Sequence, residues 1–229
     1  MSKCVGYPAL APYGVAKRTN LIAVKVFEGR EGTASQVISG FEWAVNDIVD
    51  KSRTDSAVIN MSLGGQGSTT WDAAITATWN RGVLAVVAAG NQNTLASTRS
   101  PARSPEVICV GNLRNDDYRY PGTTECNYGP AVDIWATVTG VLSTYYASNT
   151  ATATLTGSSM ASPHVARLVS FLRGLEGLSS ASAIKARVLA LATPTRVQDG
   201  QGAANLIAYN GNGPKIVIVG GWGCGVGRP

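Results

Sequence analysis

Short apolar runs alternate with helical patterns through the first half of the chain, and this alternation restricts the possible folds more than any other feature. The apolar runs predict buried strands, and the helical patterns repeat apolar residues every three or four positions. Strands are predicted at 21–26, 57–61, 83–88 and 107–110, and helices at 35–49 and 71–80. Strands that are apolar throughout are typical of a parallel sheet with helices on both faces. We therefore predict an α/β fold with a mostly parallel central sheet.

The second half of the chain is less regular as far as Gly157. Beyond that glycine, apolar residues recur at helical spacing over 158–174 and 181–192, and Pro194 marks the end of the second helix. A glycine-rich tail follows at 211–229, without a pattern that predicts a helix or a strand. We expect this tail to be disordered.

Charge, cysteine and histidine content exclude several functions. The net charge is +5, but the basic residues are scattered from Lys3 to Arg228, so a nucleic-acid partner is not expected. No apolar run reaches the length of about 18 residues that predicts a membrane span, so no membrane partner is expected. The four cysteines form no CxxC pair, and the single histidine, His164, excludes a histidine-rich metal site.

Two serines, Ser158 and Ser159, lie where a turn of small residues opens the helix predicted at 158–174. The backbone N–H groups of a first helical turn are unpaired and lie at the positive end of the helix dipole. A serine hydroxyl there can attack a carbonyl group while its own N–H faces the developing oxyanion. The alternative is that one of the two serines only caps the helix.

Two predicted strands end in residues suited to a substrate site. Asn91 follows the strand at 83–88, at the carboxyl edge of the sheet, where ligands bind in α/β folds. Its amide could donate a hydrogen bond to an oxyanion, or Asn91 could be a simple turn residue. The strand at 57–61 is followed by Gly64 and Gly65, whose backbone could pair with an extended peptide or form a plain turn.

In this order, the motifs at 62–65 (SLGG), 88–91 (AAGN) and 157–166 (GSSMASPHVA) resemble those of the subtilisin-like serine peptidases, most closely the proteinase K-type branch from fungi. Segments 13–17 and 205–210 fit the same family. The resemblance implies a subtilisin-like three-layer fold.

By this resemblance the chain divides into three parts. A partial peptidase domain is implied at 12–210, preceded by an unmatched segment at 1–11 and followed by the tail at 211–229. The fold would lack the N-terminal part of the family's domain.

The resemblance also implies roles for individual residues. It makes Ser159 the nucleophile and Asn91 the oxyanion donor. The implied substrate-binding residues are Ser62, Leu63, Gly64, Gly65, Ala88, Ala89 and Gly90. The family often binds a structural calcium ion, for which the ligands here would be Pro105, Val107 and Asp133. Two carbonyl oxygens and a carboxylate suit that ion, and no other cofactor is required.

The sequence departs from the family pattern at the catalytic aspartate and histidine. Neither the Asp-Thr/Ser-Gly turn nor the His-Gly-Thr-His segment of the family occurs in the chain. His164 lies five residues after Ser159, which places it about 140° away around the helix axis. We therefore expect His164 to be buried and to make no hydrogen bond with Ser159. Arg167 also replaces a family glycine on this helix.

Two hypotheses follow from this combination of motifs. The first is a subtilisin-like serine endopeptidase that is N-terminally truncated and inactive as given. The second is a non-catalytic pseudoprotease that binds peptides in the cleft around Ser62. Either would be a monomer with a peptide or protein partner. The resemblance implies secretion, although the first seventeen residues lack the apolar segment of a signal peptide.

Overall fold

Helices and strands alternate along the chain in the computed structural model, which describes residues 16, 18–29, 32–121, 125–145, 147–148 and 150–212. The helices are α1 (Ala34–Asp50), α2 (Thr69–Asn80), α3 (Ser158–Glu176) and α4 (Ala181–Leu191). The strands are β1 (Ile59–Met61), β2 (Gly65–Gln66), β3 (Ala85–Ala88), β4 (Arg99–Ser100), β5 (Ile108–Leu113), β6 (Ile134–Thr137), β7 (Val141–Thr144), β8 (Thr152–Leu155), β9 (Thr193–Pro194) and β10 (Leu206–Ile207). The segment at 1–11, most of 13–17 and most of the tail at 211–229 lie outside the described residues.

The central sheet has six strands in the order β1-β3-β5-β6-β10-β9. All neighbouring pairs are parallel except β9 with β10. In the register of the sheet, Asn60 lies opposite Val86, and Val86 lies opposite Ile108. The predicted mostly parallel α/β sheet is therefore confirmed. Two small antiparallel sheets, β2 with β4 and β7 with β8, lie outside it.

The sheet separates two hydrophobic cores because successive residues of a strand point to opposite faces. Val87 and Cys109 face the core that contains buried residues of α1 and α2. Val86, Ile108 and Ile134 face the core that contains buried residues of α3 and α4. All residues of β3 and β5 are buried, as expected for strands that are covered on both sides.

Three of the four helices begin with a side-chain cap. Thr33 and Gln36 form a reciprocal capping box at α1, and Ser68 and Ser180 accept from backbone N–H groups of α2 and α4. Helix α3 follows Gly157 and has no such cap, so its first N–H groups are left for other partners. Within the described ranges, the helices lack the length and apolarity needed to cross a bilayer.

The strand predicted at 21–26 is wrong, because this segment has no regular secondary structure. Leu21 and Ile22 are exposed, whereas Val26 is partly buried and packs against the core that contains α1. A Cβ atom on Gly40 would lie within contact of the Val26 side chain, so the segment packs closely on α1. The apolar run at 21–26 is thus mostly exposed and has no neighbouring strand among the described residues. The sequence analysis also missed β2, β4 and β6 to β10.

Both cysteines in the described part of the chain are fully buried. Burial raises the pKa of the Cys126 thiol to about 12 and that of Cys109 well above its usual value. Since the thiolate is the reactive form, we expect neither to react with dithiobisnitrobenzoate at about pH 8 until the protein unfolds. The measurement uses a variant with Cys4→Ser and Cys224→Ser, titrated with and without guanidinium. Rapid labelling of the native variant would contradict this expectation.

Candidate active site

The predicted nucleophile and oxyanion donor lie side by side. Ser159 is the second residue of α3, and Asn91 follows the end of β3. The backbone N–H of Ser158 donates to Oδ1 of Asn91 at 2.9 Å, which links the strand end to the first turn of the helix. The Ser158 hydroxyl accepts from the N–H of Gly90 at 3.1 Å. Two hydrogen bonds therefore fix Ser158, the residue before Ser159, relative to the loop that carries Asn91.

Gly157 makes this close approach possible. Its φ of 137° lies in a region that residues with a side chain rarely adopt. A Cβ atom there would lie 3.5 Å from both terminal atoms of Asn91. Gly157 is also the N-cap of α3, and no side chain caps this helix. The alternative that Ser158 or Ser159 is the helix cap is therefore wrong.

The Ser159 hydroxyl is half-buried and donates to the carbonyl oxygen of Ser62 at 3.3 Å. The Ser62 hydroxyl donates in return to the carbonyl oxygen of Ser159 at 2.8 Å. Asn60 donates to the Ser62 hydroxyl and accepts from Ser162. The residues after β1 are thus attached to the first turns of α3 by polar contacts.

The amide group of Asn91 uses one of its two polar atoms in a hydrogen bond within the protein. Its Oδ1 accepts from Ser158, so Nδ2 is the remaining polar atom of the amide. In the described part of the chain, Nδ2 of Asn91 has no hydrogen-bond acceptor. The hydrogen bond to Oδ1 holds the amide group in one orientation, and the Nδ2 N–H groups have no acceptor among the described residues. Such a group is suited to donate to a bound ligand.

Asn127 holds the loop that carries Asn91 and was missed by the sequence analysis. Its Oδ1 accepts from the N–H groups of Gln92 and Thr94, and its Nδ2 donates to the carbonyl of Ala89 at 2.8 Å. Its own N–H donates to the carbonyl of Gly90 at 2.9 Å. Asn127 is fully buried, so these bonds are made without competition from water. The sequence around Asn127 carries no motif that would have identified it.

A cleft of about 190 Å³ opens beside Ser159. Of the residues predicted to bind substrate, it is lined by Ser62, Leu63, Gly64, Ala88, Ala89 and Gly90, together with Asn91, Ser158 and Ser159. Gly65 is not part of this lining and pairs with Ser100 between β2 and β4. Lining residues that the sequence analysis missed are Gln92, Arg99, Ser100 and Ala102.

His164 makes its hydrogen bond away from Ser159. Its Nδ1 lies 2.8 Å from the carbonyl oxygen of Met160, one turn earlier on the same helix, and therefore donates to it. The ring is half-buried, and burial lowers its pKa, as does the nearby charge of Arg167. A neutral imidazole turned to its own helix fits the predicted structural role, and no hydrogen bond joins it to Ser159 among the described contacts. Arg167 is itself buried.

The three residues assigned to calcium surround a lysine side chain. Nζ of Lys185, on α4, donates to the carbonyl oxygens of Pro105 and Val107. It also lies 3.5 Å from Oδ1 of Asp133. No cluster of three or more His, Cys, Asp or Glu side chains suited to a metal ion occurs in the described ranges. The predicted ligands are thus brought together, but around an ammonium group.

The sequence matches the model of the subtilase family over residues 6–212. Alkaline protease 1 of Aspergillus clavatus is 48% identical over 199 residues, which is 87% of this chain and 49% of that protein. An alkaline proteinase of Hapsidospora chrysogena is 48% identical over 88% of this chain and 49% of its own length. The chain therefore spans about half the length of these relatives.

A solved structure gives the same result for the fold. A cold-adapted subtilisin-like serine proteinase superposes with a TM-score of 0.79 at 32% sequence identity, covering 90% of this chain and 71% of that one. This similarity confirms the subtilisin-like fold that the motifs implied.

Proposed function

Because the chain belongs to the subtilase family, we propose that Ser159 is the nucleophile of a serine endopeptidase that acts on peptide or protein substrates. The observation that carries the proposal is the placement of Ser159 in the first turn of α3, joined to Asn91 through the N–H of Ser158. The cleft beside it, lined by the residues after β1 and β3, offers room for an extended peptide.

In this proposal, Oγ of Ser159 attacks the carbonyl carbon of the scissile peptide bond. The carbonyl oxygen becomes an oxyanion and accepts from the Ser159 N–H and from Nδ2 of Asn91. Collapse of the tetrahedral intermediate releases the amine and leaves an acyl-enzyme, which water then hydrolyses. The hydroxyl proton of Ser159 must pass through a base to the leaving amine. Among the described contacts Ser159 donates to the Ser62 carbonyl and His164 donates to Met160, so we expect the 229 residues alone to be inactive.

The hydroxyl of Ser159 must also leave its present partner. It donates to the carbonyl of Ser62 at 3.3 Å, a long and weak hydrogen bond. Breaking this bond costs little, so the hydroxyl can turn towards a substrate carbonyl in the cleft.

A second candidate function is peptide binding without hydrolysis. The observation that favours it is that His164, the single histidine of the 229 residues, donates to its own helix rather than facing Ser159. In this case the cleft and the Asn91 amide would hold a peptide carbonyl, and Ser159 would form no covalent bond.

A labelled peptide aldehyde and the matching peptide amide distinguish the two functions by fluorescence polarisation. If Ser159 is the nucleophile, its hydroxyl adds to the aldehyde and forms a tetrahedral adduct. We expect the aldehyde to bind about 10²-fold more tightly than the amide, the low end of the gain shown by transition-state mimics. The Ser159→Ala variant should bind the two peptides equally.

The control is Ser180→Ala, which removes a serine at the start of another helix, α4. This variant should keep the full preference for the aldehyde. Equal affinities of the two peptides for the unmodified chain would leave non-covalent peptide binding as the function. Absence of binding by both peptides would reject both functions.

The remaining expectations rest on the family. We propose that the protein is secreted and monomeric, and that it binds neither nucleic acid nor membranes. The basic residues are scattered rather than clustered, and this supports the exclusion of nucleic acid despite the net charge of +5.

A further inference from the structure

Lys185 occupies the space that the family resemblance assigns to a calcium ion. Its Nζ atom lies 2.8 Å from the carbonyl oxygen of Pro105 and 2.5 Å from that of Val107. It lies 3.5 Å from Oδ1 of Asp133. We propose that the Lys185 ammonium group replaces the calcium ion at this position, so that the chain has a built-in cation in place of a bound metal.

The Lys185 ammonium group makes two hydrogen bonds and one ion pair. An ammonium group has three N–H donors, and here it has two carbonyl oxygens and one carboxylate oxygen as partners. The Lys185 side chain is only 16% exposed, so water does not replace these partners easily. An ammonium group that is largely shielded from water is stabilised by two hydrogen bonds and an ion pair, which replace the water contacts it loses.

Asp133 is held in position to face the ammonium group. Its Oδ2 accepts from the backbone N–H of Cys109 at 2.8 Å, and its own N–H donates to the carbonyl of Cys109. This leaves Oδ1 directed towards Lys185. Burial raises the pKa of Asp133, and the charge of Lys185 and the Cys109 N–H act in the opposite direction. Lys185 thus compensates a partly buried carboxylate, as a metal ion would.

A calcium ion does not fit while Lys185 is present. Calcium binds six to eight oxygen atoms at about 2.3–2.6 Å, and it would need the same three oxygen atoms that the ammonium group contacts. Two cations within a few ångströms also repel each other, more strongly in a buried site than in water. The donor set that the sequence suggested for calcium is therefore already used.

The lysine connects three separate parts of the fold. It extends from α4 to the carbonyls of the segment just before β5 and to the carboxylate just before β6. A calcium ion bound by Pro105, Val107 and Asp133 alone would join only the two strands. Lys185 additionally attaches α4 to this edge of the sheet.

Removing the lysine should expose a cation site. Lys185→Ala leaves the two carbonyls and the carboxylate in place, with space for an ion and its water ligands. In the full 229-residue chain, freed of metal with EDTA, we expect CaCl₂ at about 100 times its dissociation constant to raise the Tm of this variant by about 5–10 °C more than that of the unmodified chain. Calorimetric titration with CaCl₂ should show one additional site.

Two control variants define the site. Lys185→Arg keeps a cation and should gain no calcium response, and adding Asp133→Asn to Lys185→Ala should abolish the response. The proposal is overturned if the unmodified chain shows a calcium-dependent rise in Tm that Asp133→Asn removes, or if Lys185→Ala gains no response. If Lys185→Ala does not fold without CaCl₂ but folds with it, the result supports the proposal. If Lys185→Ala folds neither with nor without CaCl₂, the unmodified chain is compared with Asp133→Asn alone. The proposal is then supported if CaCl₂ changes the Tm of both proteins equally or changes neither.

Discussion

The purified 229-residue polypeptide is expected to hydrolyse a peptide ester about 10⁶-fold more slowly than a complete serine-peptidase triad, the loss that removal of the base or the nucleophile causes in enzymes of the subtilisin type. The reason is the hydrogen bonding of the Ser159 hydroxyl, which donates to the Ser62 carbonyl. In the described part of the chain, no imidazole accepts from this hydroxyl. The single histidine, His164, donates instead to Met160. A serine hydroxyl without a base is a poor nucleophile.

The measurement compares the unmodified polypeptide with Ser159→Ala and His164→Ala, each purified in the same way. We expect the three rates to be equal, because the cleft and the oxyanion donors alone leave a rate about 10³–10⁴-fold above that in water. A fast rate that disappears in Ser159→Ala would show that the chain contains a base outside these contacts. A fast rate that also disappears in His164→Ala would identify His164 as that base.

Continuous apolar patterns made the main elements of the fold predictable. The helix predicted at 35–49 is observed as α1 (Ala34–Asp50), and the one at 181–192 as α4 (Ala181–Leu191). The start of α3 at Ser158 was predicted because a glycine precedes a long apolar pattern. These features depend on residues close together in the sequence, so the spacing of the apolar residues is enough to predict them.

Contacts between distant segments were not predictable in the same way. Lys185 contacts Pro105 across 80 residues, and Asn127 contacts Ala89 across 38. The helical pattern of α4 predicts that Lys185 lies on a helix. It does not predict which part of the sheet that helix crosses. Only the packing of α4 against the sheet brings the ammonium group to the carbonyls.

The motifs predicted more of the site than the periodicity did. Ser159 and Asn91 were assigned by resemblance, and the structure places them in neighbouring segments joined by the hydrogen bond from Ser158. The orientation of the Asn91 amide could not be predicted, because it depends on which of its two ends the Ser158 N–H contacts. That orientation engages Oδ1 with the Ser158 N–H and leaves Nδ2 without an acceptor in the described part of the chain.

Replacement of Asn91 by alanine is expected to remove most of the rate that remains without a base. Loss of one oxyanion donor costs enzymes of the subtilisin type about 10²–10³-fold in turnover. The remaining rate depends on such donors, so Asn91→Ala should bring hydrolysis of the peptide ester close to the rate in water. The test measures this rate in Asn91→Ala and in the unmodified polypeptide at equal concentrations.

Asn91→Asp separates the oxyanion role from the structural one. An aspartate keeps an oxygen that accepts from the Ser158 N–H at the position now 2.9 Å away, but it replaces the Nδ2 donor by a second oxygen. We therefore expect Asn91→Asp to keep the Tm of the unmodified chain and to lose as much turnover as Asn91→Ala. If Asn91→Asp retained the rate while Asn91→Ala lost it, the contribution of Asn91 would be to hold Ser158 in place rather than to donate to the oxyanion.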